Sequence, residues 1–412
     1  MKLSILKTVL FESLNRFCTL IIVLLVSRNF SVSTYGYFSL FITITSIGQT
    51  VIDFGSQNFG VKELIKLKDI SDIKGMVKTV STFRFIGFIV WVLFSIVYSF
   101  FIEDSFNFAS LLILWGLIYL YYCDWILKGI GKISSQALIN LTTNGIALLV
   151  LYLFIWKKLE LNNSYIISIA KIAPLLAAAL ISGFFLRWIT KSNLVLVAVK
   201  RTWPKSQFHE TMLFTTGSFC ARAYNSIGLI LVGFLTDKTS LGMISYAFTF
   251  YNIFSMGRAI LITSVYPYFC KLDRKKALKL SLYLNLSATL GFLLFLIVYL
   301  NYSDEIIHII VPKTTPISDI IRFNFNVGVA LIGVVCMSFF TITFLQAFEG
   351  GGIFNRLTVY GLIIVLVLNL ISYFMSYLRY SSILSLLVAE SLIALYSYIY
   401  IFKKNTADEG VG

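Results

Sequence analysis

Long apolar runs separated by short polar stretches recur along the whole chain. A bilayer needs ~20 apolar residues per helical crossing, and on that measure the pattern predicts about twelve membrane spans. The first six cover 8–29, 36–59, 79–101, 106–127, 135–156 and 163–189. The second six cover 209–236, 240–270, 278–302, 316–348, 353–376 and 381–402. Several exceed the necessary length, which predicts tilt or extension past the bilayer. The runs are continuously apolar, whereas strands of a membrane barrel would alternate. The fold class is therefore an all-α polytopic membrane protein. The longest external stretch, Ser303 to Thr315, predicts a brief helix and turn.

Polar residues inside these runs fall at helical spacing. Thr215, Ser218, Arg222 and Asn225 share one face of span seven. Span two carries Thr43, Ser46, Thr50, Asp53 and Gln57; span one carries Glu12, Arg16 and Thr19. Span eight offers Ser245, Thr249, Asn252 and, near its centre, Arg258. Such stripes face a protein interior or an aqueous cavity rather than lipid. Hydroxyls and amides alone also serve as glue between helices. The arginines weigh more, because one at the bilayer centre costs at least ~2.5 kcal/mol on insertion scales. Several on facing helices point to an anionic guest.

A repeat underlies the pattern. Arg16 and Arg222 are 206 residues apart, half of the 412-residue chain. The same offset aligns Ser33-Thr34-Tyr35-Gly36-Tyr37-Phe38-Ser39 with Thr239-Ser240-Leu241-Gly242-Met243-Ile244-Ser245. Two similar halves are expected: a six-helix bundle over 1–190, a cytoplasmic connection over 191–206, and a second bundle over 207–412. Repeats of this kind commonly bind a transported solute where they meet.

Composition agrees. The chain is 58% hydrophobic and 13% charged, against about 25% charged in soluble domains. Its net charge of +15 reads as membrane topology, since no soluble basic domain exists to hold nucleic acid. Basic residues crowd alternate loops: Lys62 to Lys78, Lys128 and Lys132, Arg187 to Lys205, Lys271 to Lys279, and Lys403-Lys404. That asymmetry puts both termini in the cytoplasm. Glu12, Asn15 and Arg16 interrupt the first apolar run, so it reads as a retained helix and not a signal peptide. The five cysteines lie in or beside apolar runs without a CxxC pair and read as small hydrophobes.

Each interior charge has two readings. Arg16 lines a cavity or pairs with Glu12 one turn away. Arg222 has no acid within a turn. Arg258 is deep, with Asp53 as a pairing candidate at similar depth. Arg84 lines the cavity or snorkels to the cytoplasmic surface. Lys171 is a cavity lysine or one that titrates when desolvated. Arg322 reaches headgroups at the outer surface. Asp53 and Asp124 lie near cytoplasmic helix ends, suited to gating or to pairing with nearby bases. Glu390 is deeper and either couples transport to H+ or Na+ or packs as a protonated residue. Six cations against four acids leave the interior positive. No GxxxxGK[ST] or HExxH occurs, and the two histidines fall on opposite sides, so no enzyme chemistry, cofactor or metal site is indicated.

Four stretches resemble a family. Ser33 to Ser39 is similar to the Tyr-Gly-x-x-Ser turn of Wzx-type O-antigen flippases. Asp53-Phe54-Gly55-Ser56-Gln57 with Val61-Lys62-Glu63 resembles their helix-two ending. Asp124 to Lys132 and Gln346 to Gly351 resemble the endings of helices four and ten. In the second external-turn copy Leu241 stands in place of Tyr. The resemblance implies the multidrug/oligosaccharidyl-lipid/polysaccharide exporter fold, two pseudo-symmetric six-helix bundles forming a V around a central cavity. It implies a flippase of the bacterial inner membrane that moves an undecaprenyl-diphosphate-linked oligosaccharide outward by alternating access, for lipopolysaccharide or other polysaccharide biosynthesis. A polysaccharide polymerase and a chain-length regulator are the implied partners, beside membrane lipids. Arg16, Arg222 and Arg258, with Arg84, Lys171, Asn225 and Asn252, become the expected substrate contacts. Guanidinium forks suit a diphosphate, and the amide stripes suit sugars.

Two other readings remain. A cation-coupled multidrug exporter of the same fold would place acids deep in the cavity, where this chain has bases. A membrane glycosyltransferase or polymerase would carry a sizeable catalytic loop, and the loops here are short.

Overall fold

The computed structural model describes residues 2–65, 67, 69–100, 105–158, 162–190, 205–269, 272–348 and 351–409. Among them there is no strand. The helices are α1 (Lys2–Asn29), α2 (Val32–Asp53), α3 (Val61–Leu64), α4 (Ile70–Ser99), α5 (Ser105–Tyr121), α6 (Asp124–Gly129), α7 (Ile133–Trp156), α8 (Asn163–Ile167) and α9 (Ala173–Thr190). They continue with α10 (Lys205–Leu235), α11 (Lys238–Phe269), α12 (Arg274–Asn301), α13 (Ser303–Ile310), α14 (Asp319–Phe348), α15 (Gly351–Phe374) and α16 (Leu378–Glu409). Two π-helical turns, Ser56–Gly60 and Ser168–Ile172, interrupt the series. Ten helical segments are long and apolar enough to cross a membrane. The polar-striped α2 and α11 match the other two predicted spans, and α13 is the brief helix expected between Ser303 and Thr315. This is a multi-pass membrane protein.

The chain divides into two compact units. Unit 1 holds Met1–Asn29 and Tyr37–Arg222; unit 2 holds Phe30–Gly36 and Ala223–Gly412. Most of the expected connection, 191–204, lies outside the described residues.

In unit 1, α1 packs on α7, α4 on α5, and α7 on α9. Trp91 anchors this packing. Its ring lies where side chains at Gly48 and Gly116 would clash at 2.4 Å, and its indole N–H donates to Leu112 O at 2.9 Å. Two expected spans prove discontinuous. Span two breaks after Asp53, where Phe54 (φ 45°) and Gly55 (φ 77°) turn left-handed. The Asp53 carboxylate stabilises the break: Oδ2 accepts the Gln57 amide at 3.1 Å and Oδ1 the Ser56 hydroxyl. Span four breaks between Tyr121 and Asp124. A helix end leaves carbonyls short of partners; Arg84 donates to that of Tyr122 and also to that of Tyr119, which accepts the Tyr122 N–H as well.

In unit 2, α14 is the central helix, packed by α11, α12 and α16, with α15 against α16. Asn285 of α12 ties three of them. Its amide donates to Thr341 Oγ1 at 2.6 Å and Tyr398 Oη at 3.2 Å, and its oxygen accepts the Phe340 N–H at 3.1 Å. The repeated Gly explains itself here. A Cβ on Gly242 would lie 2.0 Å from Val32 O, and one on Gly36 2.7 Å from Gly242 N. The two copies of the motif therefore cross through their glycines. Tyr35 stacks on Tyr246 at 4.7 Å beside the crossing.

At the start of α11, Asp237 accepts the Ser240 amide (2.8 Å) and hydroxyl (2.7 Å) and pairs with Arg379 at 2.9 Å. Partial burial raises its pKa, but these bonds outweigh that and hold the carboxyl below its usual 3.8.

Two outcomes follow. Gly242→Val should lower stability in detergent by ~1–3 kcal/mol through overpacking, while Gly75→Ala, with nothing near its Cβ, should be neutral or stabilising by up to about 1 kcal/mol. Thermal melting of both variants checks this. Asp237→Ala should remove an N-cap worth ~1 kcal/mol. Because the native pKa is depressed, that contribution is complete above about pH 4 and fades as pH falls through the native value. Melting curves from neutral to acid pH should show the wild-type advantage shrink only at the acid end.

Candidate functional site

A cavity of about 300 Å³ opens inside unit 1. Its polar lining comes from Thr45, Ser46 and Gln49 of α2, Asn140, Thr143 and Asn144 of α7, and Lys171. Trp115, Tyr119 and Tyr122 supply aromatic wall. The polar residues on α2 and α7 recur every three or four positions, so each helix turns one face to the cavity. The lining contains no Asp or Glu.

Lys171 lies in the π-helical turn Ser168–Ile172. Such turns are frequent at functional sites because they displace a residue from the regular helical face. Among the described residues, Lys171 has neither hydrogen bond nor ion pair. Arg222 reaches two lining residues, donating from Nη1 to Ser46 O at 3.0 Å and to Gln49 Oε1 at 2.9 Å. Asn144 donates to Asn15 Oδ1 at 2.8 Å, which ties α1 to the same wall. Arg16, the next residue, makes no hydrogen bond or ion pair among the described residues. The expected Glu12–Arg16 pair does not form; helical spacing permits it, but such a pair contributes only ~0.3–0.5 kcal/mol.

Arg84 differs from its expected roles. It neither snorkels nor lines the cavity but is 2% exposed. Nη1 donates to Tyr122 O at 2.9 Å and Nη2 to Tyr119 O at 2.6 Å, with the guanidinium 5.3 Å from the Tyr119 ring centre. Its charge also faces Asp53. Asp124 pairs with Lys128 at 3.3 Å and accepts the Gln57 amide, while Lys128 donates to Gln57 Oε1 at 2.9 Å. Two acids and two bases thus cluster where α2 and α5 break. Asp53 and Asp124, the gating candidates, are both engaged in it.

Unit 2 holds the remaining candidates. Tyr224 of α10 donates to Glu390 Oε1 at 2.8 Å, and Glu390 is 1% exposed. Arg258 interacts with the Tyr224 hydroxyl and, electrostatically, with Glu390 and Tyr251, without a direct ion pair to Glu390. Asn225 is half-buried on α10; Asn252 is exposed on α11. Arg322, expected at headgroup level, pairs with Asp304 at 3.0 Å. The sequence reading missed Gln49, Asn140 and Asn144. The i, i+3, i+4 spacing of Asn140, Thr143 and Asn144 carries the signal for α7.

No protein-family model matches this chain, and no curated protein matches it significantly. Solved structures share its fold. An inward-facing multidrug resistance MATE family transporter of the MOP superfamily superposes with TM-score 0.69 and 12% identity, over 96% of this chain and 95% of that one. The lipid II flippase MurJ, in an inward closed conformation, gives 0.59 and 13% over 97% and 87%. A MOP superfamily transporter from Pyrococcus furiosus gives 0.50 and 13% over 98% and 94%. The chain has the fold of MOP-superfamily membrane proteins.

Arg84→Met should destabilise the protein by about 3 kcal/mol, since two charge-assisted hydrogen bonds are lost and the Tyr122 carbonyl stays unpaired. Reduced melting temperature and membrane yield would register it. A fully stable variant would contradict a structural role for this arginine.

Proposed function

We propose that the protein is a flippase for an anionic, lipid-linked glycan. Lys171 carries the argument: an unpaired ammonium in a polar, carboxylate-free cavity. A lysine desolvated without a counter-ion is costly, and a phosphate or diphosphate group would relieve that cost. Arg222 and Arg16 add cationic donors on the same unit. Gln49, Asn140, Asn144, Thr45 and Thr143 supply the donors and acceptors that sugar hydroxyls require.

The undecaprenyl-diphosphate-linked oligosaccharide implied by the Wzx-type resemblance fits this chemistry. Its headgroup is anionic and hydroxyl-rich, and its chain is at home in lipid. On this reading the protein sits in the bacterial inner membrane with cytoplasmic termini and hands its product to a polysaccharide polymerase and chain-length regulator. Glu390, hydrogen-bonded and in reach of Arg258, is the acid we assign to any coupling by H+ or Na+. The MurJ likeness is compatible with a lipid-linked substrate. The Pyrococcus furiosus relative is described by a reverse polarity of its binding pocket that suggests a different function, so pocket charge varies on this fold. A cationic-drug exporter is disfavoured here because the cavity lining has no acid to meet its substrate.

Lys171→Ala and Arg222→Ala should each cut surface polysaccharide in a complemented deletion strain about tenfold to a hundredfold. That range corresponds to losing one charge-assisted bond of ~1.5–3 kcal/mol. Lys171→Arg should recover part of the loss, and immunoblots should show unchanged protein in the membrane. Accumulation of a lipid-linked repeat unit in the mutants would identify the substrate. Full polysaccharide display in both alanine variants would sink the proposal.

A further inference from the structure

Unit 2 carries a second cavity of different character. About 440 Å³ lies open between α11, α12 and α14, walled by Phe254, Phe292, Phe295 and Phe339, with Arg258 in its lining. Two glycines create the opening. Gly257 of α11 and Gly291 of α12 both line it, and a Cβ added at either would meet no atom within 4 Å. Gly333 of α14 is the contrast: its Cβ would strike the Phe292 ring at 2.6 Å, so that glycine seats the wall. Glycine inside a helix costs about 1 kcal/mol against alanine. Packing accounts for Gly333 but not for Gly257 or Gly291, whose effect is to keep the cleft open.

The cleft's chemistry selects its occupant. Arg258 is half-buried and makes no direct ion pair with Glu390; the Tyr224 hydroxyl stands between them. An apolar slot gains nothing from the hydrophobic effect over surrounding lipid, because lipid tails are equally apolar. Charge must therefore supply the selection, while aromatic walls supply close packing for an attached chain. We propose that the cleft holds the hydrocarbon chain of a lipid phosphate whose anionic group pairs with Arg258. This deepens the flippase reading by adding a lipid-phosphate seat on unit 2, and it rests on that reading for the substrate's identity.

Native mass spectrometry of the full chain in detergent, titrated with polyprenyl phosphate, tests it. Phosphatidylcholine is the neutral comparison. Wild type should bind polyprenyl phosphate at least tenfold more tightly than phosphatidylcholine. Gly291→Leu, which fills the cleft, and Arg258→Gln, which removes the charge, should each weaken binding at least tenfold. Ala288→Leu narrows the same cleft and replaces Gly291→Leu if that variant melts abnormally. Equal binding of the two lipids, or wild-type binding in the filled and charge-removed variants, would overturn the proposal. Lys171→Ala and Arg222→Ala separate it from the cavity of unit 1. Loss only in the unit 2 variants keeps the cleft and removes the headgroup cavity; loss only in the unit 1 variants does the reverse.

Discussion

A polar or charged group in an apolar medium must be neutralised, hydrogen-bonded or reserved for a ligand, since leaving it bare costs several kcal/mol. That constraint sorts several interior charges among the described residues. Arg84 meets it in large part, with two carbonyls, an aromatic face and a nearby carboxylate, though its Nε has no partner among the described residues. Asp53 meets it through Ser56 and Gln57, and Asp124 through Gln57 and Lys128 at one of its two oxygens. Glu390 meets it through Tyr224. Lys171 and Arg16 do not meet it within the described protein. The same rule that makes Arg84 structural makes Lys171 a candidate for function.

The cluster around Arg84 also explains why two helices break. A helix end leaves carbonyls short of partners. By ending at Tyr121, α5 leaves the Tyr122 carbonyl for a buried guanidinium, which also bonds the Tyr119 carbonyl alongside the Tyr122 N–H. By ending at Asp53, α2 frees the Gln57 amide for a carboxylate. Irregular backbone at membrane depth is tolerated where protein buries it, and here the charges and the breaks satisfy one another. The helix endings at Asp53 and Tyr121 thus have a local physical role in this chain.

Much of the fold was legible because bilayer thickness fixes span length and apolar runs report it directly. The breaks inside spans two and four were not, since they depend on contacts between residues such as Arg84 and Tyr119 that lie far apart in sequence. The Gly36–Gly242 crossing was half legible. The offset revealed the repeat, but only coordinates show the two copies touching. For the site, charge counting found Lys171 and Arg222 but also enrolled Arg84, because sequence gives the depth of a residue and not what surrounds it. The predicted face of α2 was right in part: Ser46 lines the cavity, but with Thr45 and Gln49 beside it in place of Thr43 and Thr50.

The two units bring unlike chemistry to a common fold. Unit 1 offers amides, hydroxyls and an unpaired ammonium; unit 2 offers aromatic rings, open space over two glycines and one guanidinium. A small polar solute would use the first and ignore the second, and a plain hydrocarbon would do the opposite. An exported organic cation would be repelled by both, because each presents positive charge and neither lining contains a carboxylate. On the proposed reading, an anionic, sugar-bearing head suits the residues of unit 1 and a lipid phosphate suits those of unit 2.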